Sequence, residues 1–188
     1  MNRSIEHFWE INSKSDFEMF TIQTFFFQYE NNAIYRSYCD LINFSKADVS
    51  SIEQIPFLPI QFFKTHEVKS FRGAEEMTFS SSGTTGEKTS THFIKSLKDY
   101  ENSFNYAFRS FYGDPKEVTI LALLPCYLER KGSSLIYMVE NLIQQSQSAD
   151  SGFYLNDYEK LKNVIEKLEA THQPTILIGV SFALLDLI

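Results

Sequence analysis

"EVTILALLP", Glu117–Pro125, is short, almost continuously apolar and preceded by the turn residues Gly113, Asp114 and Pro115. A strand that is apolar at successive positions must be covered on both faces, because alternate side chains point to opposite sides of the sheet. "TILIGV", Thr175–Val180, has the same grammar. Between the two runs, Ser133 or Ser134 opens a helix through Gln147, and "GFYL" (Gly152–Leu155) is a short strand candidate. Asp157 then caps a helix from Tyr158 to about Ala170. Strand and helix alternate, so the fold class is α/β: right-handed crossovers and a mainly parallel sheet flanked by helices. Thr119–Leu124 and Thr175–Val180 are expected to be buried parallel strands of one sheet.

Working back from that strand, Ser96 and Asp99 open a helix that runs to about Tyr112, closed by the glycine, aspartate and proline that follow. The N-terminal segment is helical. Ser15 with Glu18 reads as a capping box, and Phe17, Met19 and Phe20 start an apolar face that continues to Tyr29. Asn31 and Asn32 break the pattern before a second helix, Ala33–Ile42. Ser45–Ser70 is irregular, and the prolines of "IPFLPIQFFK" (Pro56, Pro59) read as a rigid segment pressed onto a core. This divides the chain into a helical segment, residues 1–50, and an α/β part, residues 51–188. Ser181 reads as a helix cap, and "FALLDLI" after it is apolar helix without a stop signal. On this reading the chain stops inside a fold, with apolar surface that favours self-association.

The 188 residues are 43% hydrophobic and 15% aromatic, with 18 phenylalanines and 10 tyrosines, enough for a sizeable core and too many for a largely disordered chain. The net charge is −7 and the sequence pI about 5.1. With no run of lysine or arginine, nucleic acid and anionic membrane surfaces are poor partners. The two cysteines, Cys39 and Cys126, make no disulfide framework, the start lacks a signal-peptide core, and no segment is long enough to span a bilayer. The expected location is the cytoplasm. His7, His66, His92 and His172 are far apart, and no metal-ligand spacing is present.

"SSSGTTGEK", Ser80–Lys88, does not read as packing. Segments with strand character, Glu76–Ser80 and Ser90–Ile94, flank it, so it is a loop between extended segments and not an interdomain tether. Gly83 and Gly86 can take positive φ and let backbone N–H groups converge on an anion. Ser80, Ser81, Ser82, Thr84 and Thr85 add hydroxyl donors without bulk, and Lys88 adds positive charge. That chemistry suits a polyphosphate. The Walker pattern fails on spacing, since only Thr84 and Thr85 separate the two glycines and Glu87 follows the second; no G-x-G-x-x-G is present.

With "PFLPIQFFK" (Pro56–Lys64) before it and "LLPCYLERKGSSLIYM" (Leu123–Met138) after it, this loop resembles the phosphate-binding motif of the adenylate-forming superfamily of acyl-CoA synthetases and ligases. Within it the chain is most similar to the acyl-protein synthetase branch of bacterial luminescence, the LuxE type. The resemblance covers about Ile55–Ile188. The superfamily pattern has a proline after Gly-Thr-Thr-Gly; here it is missing and Lys88 comes one position early. The resemblance implies the large N-terminal domain of an adenylate-forming enzyme, incomplete in this chain. It further implies ATP-dependent activation of a carboxylic, fatty acid as an acyl-adenylate, then acyl transfer to a thiol on coenzyme A or on a protein. ATP and Mg2+ are the implied cofactors. Because the superfamily's adenine, magnesium and C-terminal lysine sites come later in the chain, the 188 residues alone are expected to lack adenylating activity.

On the same resemblance Cys126, Tyr127 and Ser133 are acyl-pocket candidates. His92 either faces the nucleotide or packs at a sheet edge. Cys126 also ends a buried strand, where α/β proteins place their sites, but no histidine can be assigned to it as partner. Two further readings stand beside the adenylating enzyme. One is a non-catalytic interaction domain whose aromatic-rich helices grip a partner; the other is a nucleotidase or kinase, for which no acidic metal-binding motif is found.

Overall fold

Asn32 is buried and serves two helices at once. Its backbone N–H donates to the Gln28 carbonyl (2.8 Å), closing α1 (Lys14–Asn31), and its Oδ1 accepts from the Tyr35 N–H (3.1 Å), opening α2 (Ala33–Leu41). The computed structural model describes residues 7–81, 88–124 and 132–187, in two compact units, Met1–Leu97 and Lys98–Ile188. Among the described residues no helix is long and apolar enough to cross a membrane.

In the first unit, α1 begins earlier than the Ser15–Glu18 pattern predicts. Ser13 is the N-cap: its backbone is extended (φ −147°), and its Oγ accepts from the Asp16 N–H at 3.0 Å. Ser15 therefore lies inside the first turn. Phe25, Tyr35, Cys39 and Ile55 form the core of this unit, with Tyr35 and Phe44 edge-on to Phe25. The Tyr35 hydroxyl donates to the Pro56 carbonyl at 2.7 Å and ties α2 to the proline segment. Burial pushes the Cys39 thiol up, which marks a packing cysteine and not a nucleophile.

The proline segment is only partly pressed inward. Ile55 is buried, but Phe57 is 83% and Ile60 67% exposed, so the segment covers the core at its start and stands in solvent further along. The Ser45–Ser70 stretch holds two 3₁₀ turns (Lys46–Asp48 and Ile52–Gln54) and the single-turn helix α3 (Phe62–Thr65). The unit ends in an antiparallel hairpin of β1 (Met77–Ser80) and β2 (Thr91–Ile94).

The second unit holds most of α4 (Leu97–Tyr112), then β3 (Thr119–Leu123), α5 (Ser134–Gln145), β4 (Gly152–Phe153), α6 (Tyr158–Ala170), β5 (Thr175–Gly179) and α7 (Ser181–Asp186). The strands form a parallel sheet in the order β4–β3–β5. Every residue of β3 is buried, and its two faces meet different helices. Leu121 and Leu123 pack with Leu161 and Leu168 of α6 and Ala183 of α7. Ile120 packs with Phe104 and Phe108 of α4 and Leu142 of α5, and Ala122 and Leu124 with Val139 of α5. The predicted helices on both faces are present.

The second predicted strand is parallel and pairs Thr119–Leu123 with Thr175–Gly179 in register. It is not fully buried: Thr175 is exposed and the rest half-buried, because β5 has β3 on one side and, among the described residues, no strand on the other. "GFYL" yields two strand residues and one further ladder bond, Tyr154 N–H to the Ala122 carbonyl at 2.9 Å. Leu155 then takes a positive φ (51°) and ends the pairing.

Helix ends follow local chemistry. Gly113, at φ 85°, follows α4 and donates to the Arg109 carbonyl, and the Asp157 side chain accepts from the Lys160 N–H at the start of α6. Ser181 is the first residue of α7 and not its cap; Val180 holds the cap position with no side-chain bond.

Candidate functional site

The hairpin carries the serine-rich loop. Its register, Met77 with Ile94 through Ser80 with Thr91, brings the two ends of the loop together at adjacent backbone positions. Just beyond the last pair, Ser81 and Ser90 bond reciprocally. The Ser81 N–H donates to the Ser90 carbonyl at 3.0 Å, and the Ser90 N–H donates to Ser81 Oγ at 2.9 Å. This clamp fixes the width of the loop mouth. It also uses the Ser81 backbone donor, leaving the hydroxyl hydrogen of that residue for a ligand.

Of the predicted phosphate contacts, Ser80, Ser81 and Lys88 are described, and all three are exposed at the mouth. Ser82, Gly83, Thr84, Thr85 and Gly86 lie outside the described residues, as do Cys126 and Tyr127. Ser133 is the N-cap of α5: its Oγ accepts from the Ile136 N–H at 3.3 Å, so its first role is to close a helix end.

His92 packs. Its ring stacks on Phe63 of α3 with centroids 4.8 Å apart, and its Nε2 is 3.5 Å from Ser90 Oγ. Phe79, opposite His92 in the register, is buried. On the other face of β2, the Lys69 ammonium sits 4.9 Å from the Phe93 ring centroid, with Glu67 and Glu75 as ion-pair partners at 3.5 and 3.8 Å. Lys88, at the loop mouth, is exposed, while Lys69 is engaged by its carboxylates.

Two features of this region escaped the sequence reading. Ser90 has strand character in the sequence but acts as half of the clamp, and the signal for that is a serine at each end of the run. Phe63 positions His92, and nothing in "QFFK" distinguishes it from its neighbour Phe62. Among the described residues no group of three or more His, Cys, Asp or Glu side chains could hold a metal ion.

The arrangement offers hydroxyl donors and a lysine on a mouth of fixed width, and no described nucleophile–base pair. Residues 4–125 match the family described as acyl-protein synthetase, LuxE. The match takes in the N-terminal helices, which the resemblance from Ile55 onward left out, and ends just after β3. No curated protein and no solved structure matches the chain. With the family match running through α1, α2, the clamped hairpin and β3, the chain belongs to the acyl-protein synthetase (LuxE) family.

Proposed function

We propose that this chain takes part in ATP-dependent activation of a carboxylic acid, and that the loop spanned by β1 and β2 holds the nucleotide phosphates. The observation that carries the proposal is the reciprocal Ser81–Ser90 clamp at the mouth of a Ser/Thr/Gly loop, in a chain of the acyl-protein synthetase family. In this reading Thr84, Thr85 and Ser82 donate hydroxyl hydrogens to phosphate oxygens. Gly83 and Gly86 allow backbone N–H groups to approach, and Lys88 offsets charge.

The reaction is attack of a carboxylate oxygen on the α-phosphorus of ATP, forming the acyl-adenylate and releasing pyrophosphate. A thiol of coenzyme A or of a protein then attacks the acyl carbon, forming the thioester and releasing AMP. Neither step asks the protein for covalent chemistry, so the loop contributes by positioning and by stabilising charge on the phosphates. Magnesium would neutralise the triphosphate, held by the phosphates themselves and not by a cluster of three or more His, Cys, Asp or Glu side chains, of which the described residues have none. A fatty acid is the proposed substrate, as the family description names an acyl group.

Replacing Thr84 and Thr85 together with alanine is expected to weaken ATP binding while leaving the melting temperature without ligand within about a degree, since polar hydroxyls that face a ligand contribute little to a core. Calorimetric titration with ATP, paired with a melting curve, checks this. Unchanged ATP affinity in the double variant would mean that the loop is not the phosphate cradle.

A further inference from the structure

A groove of about 630 Å³ runs along α1 in the first unit, with the extended Ile55–Leu58 segment as its other wall. On the α1 side, Phe17, Phe20, Thr21, Thr24 and Gln28 recur at the three- and four-residue spacing of one helix face. From Phe17 to Gln28 that face is about 16 Å long at helical rise, so the groove is an elongated slot. Its volume falls in the range of ligand pockets, and Phe17 (49% exposed) and Phe57 (83% exposed) stand on its two rims.

The chemistry of the lining is selective. No lining residue carries a formal charge, although the chain has 41 acidic and basic residues (17 Lys and Arg plus 24 Asp and Glu). Of the polar groups that line it, Gln28 Oε1, Asn32 and the Tyr35 hydroxyl are already engaged. Asn32 Nδ2 donates to Gln28 Oε1 at 3.2 Å, Ser70 donates to the same oxygen, and the Tyr35 hydroxyl is bonded to the Pro56 carbonyl. A polar or charged ligand would be desolvated there without compensation, whereas a linear hydrocarbon would lose nothing. The groove also leads to the hairpin. Phe63 belongs to its lining, and the same ring stacks on His92, whose Nε2 faces Ser90 of the clamp.

We propose that this groove binds the unbranched hydrocarbon tail of the carboxylic acid, with the carboxylate at the Phe63 end toward the clamped loop. The inference rests on the acyl-activation reading for the identity of the ligand. It moves the tail site from Cys126, Tyr127 and Ser133 to the aromatic face of α1. Phe17 and Phe57 are then binding residues for the tail, and His92 and Phe63 mark the join between tail and reacting end.

The test is displacement of a fluorescent fatty-acid analogue from the whole chain by a saturated fatty acid and by the n-alkanol of equal length. Both competitors are expected to bind. Phe17→Asp and Phe57→Asp, each on an exposed rim and so compatible with folding, should each weaken both by about tenfold or more, because a carboxylate is placed against hydrocarbon. Phe111→Asp, 81% exposed on α4, should leave both unchanged. Failure of the alkanol to bind, or equal binding by the Phe17 and Phe57 variants, overturns the proposal. So does a dimer that these variants convert to monomer without any change in lipid binding, since the occupant is then a second copy. ATP titration of the same samples separates the two claims: groove-dependent lipid binding without ATP binding would remove the phosphate reading and leave the groove.

Discussion

In the second unit β3 is sealed: Leu121 and Leu123 lie under α6 and α7, and Ile120, Ala122 and Leu124 under α4 and α5. In the first unit α1 buries one described residue, Phe25, and leaves Phe17 and Phe27 about half in solvent. Both regions are rich in large apolar side chains. They differ in whether neighbouring elements cover them. A region with aliphatic residues interdigitated on two faces contributes stability, whereas an aromatic face left half in solvent contributes less of it.

The contrast can be broken by truncating one residue from each region. Leu121→Ala should cost about 2–5 kcal/mol, because the sealed site cannot collapse around the lost atoms. Phe57→Ala should change stability by less than about 0.5 kcal/mol, as expected at an exposed position. Denaturant unfolding of the two variants decides it. Similar losses would mean that the first unit packs as the second does.

A smaller effect sharpens the picture of the sealed region. A methyl group on Gly179 would lie 2.7 Å from Leu184 Cδ2 and 3.2 Å from the Leu123 carbonyl. Gly179 is what lets α7 fold back onto the end of β5. Gly179→Ala should destabilise by about 1–3 kcal/mol, the range for overpacking. A neutral result in the same unfolding experiment would show that α7 is loosely held.

The smallest effect is seen in alkali. The Tyr137 hydroxyl donates to Glu101 Oε1 at 2.7 Å, and that bond, then burial, pushes Tyr137 from 10.0 up to about 12. The folded state holds this proton more tightly than the unfolded state does. The contribution is therefore whole below about pH 10 and lost as pH rises through about 12. Tyr137→Phe should flatten the loss of stability between those values. Burial also raises Tyr35, Tyr100 and Tyr154, so the alkaline limb should shrink without vanishing. A limb of unchanged steepness contradicts the assignment.

What was legible in the sequence follows the same division. β3 could be read because it is apolar at nearly every position, and a run of that kind has one comfortable environment. The parallel pairing of β5 followed from the helix between them. Its edge position did not, since that depends on which strands lie beyond it. Ser13 and Ser15 each have an acidic residue three positions on, Asp16 and Glu18, so the pattern cannot say which is the cap. Only the extended backbone at Ser13 decides. In the candidate site the loop and its flanking strands were readable from composition. The Ser81–Ser90 clamp and the Phe63–His92 stack were not, because they arise from hairpin register and from a contact 29 residues apart in number (63 to 92).

The phosphate reading is tested most directly by amide hydrogen exchange with and without ATP and magnesium. ATP held in the loop must suppress opening of the hairpin that carries it. Slowed exchange is expected at Ser80, Ser81 and Ser90–His92, with β3 unchanged and the effect absent when Thr84 and Thr85 are alanine. Unchanged exchange at those hairpin amides under saturating ATP, or slowing confined to Lys98–Ile188, would contradict it.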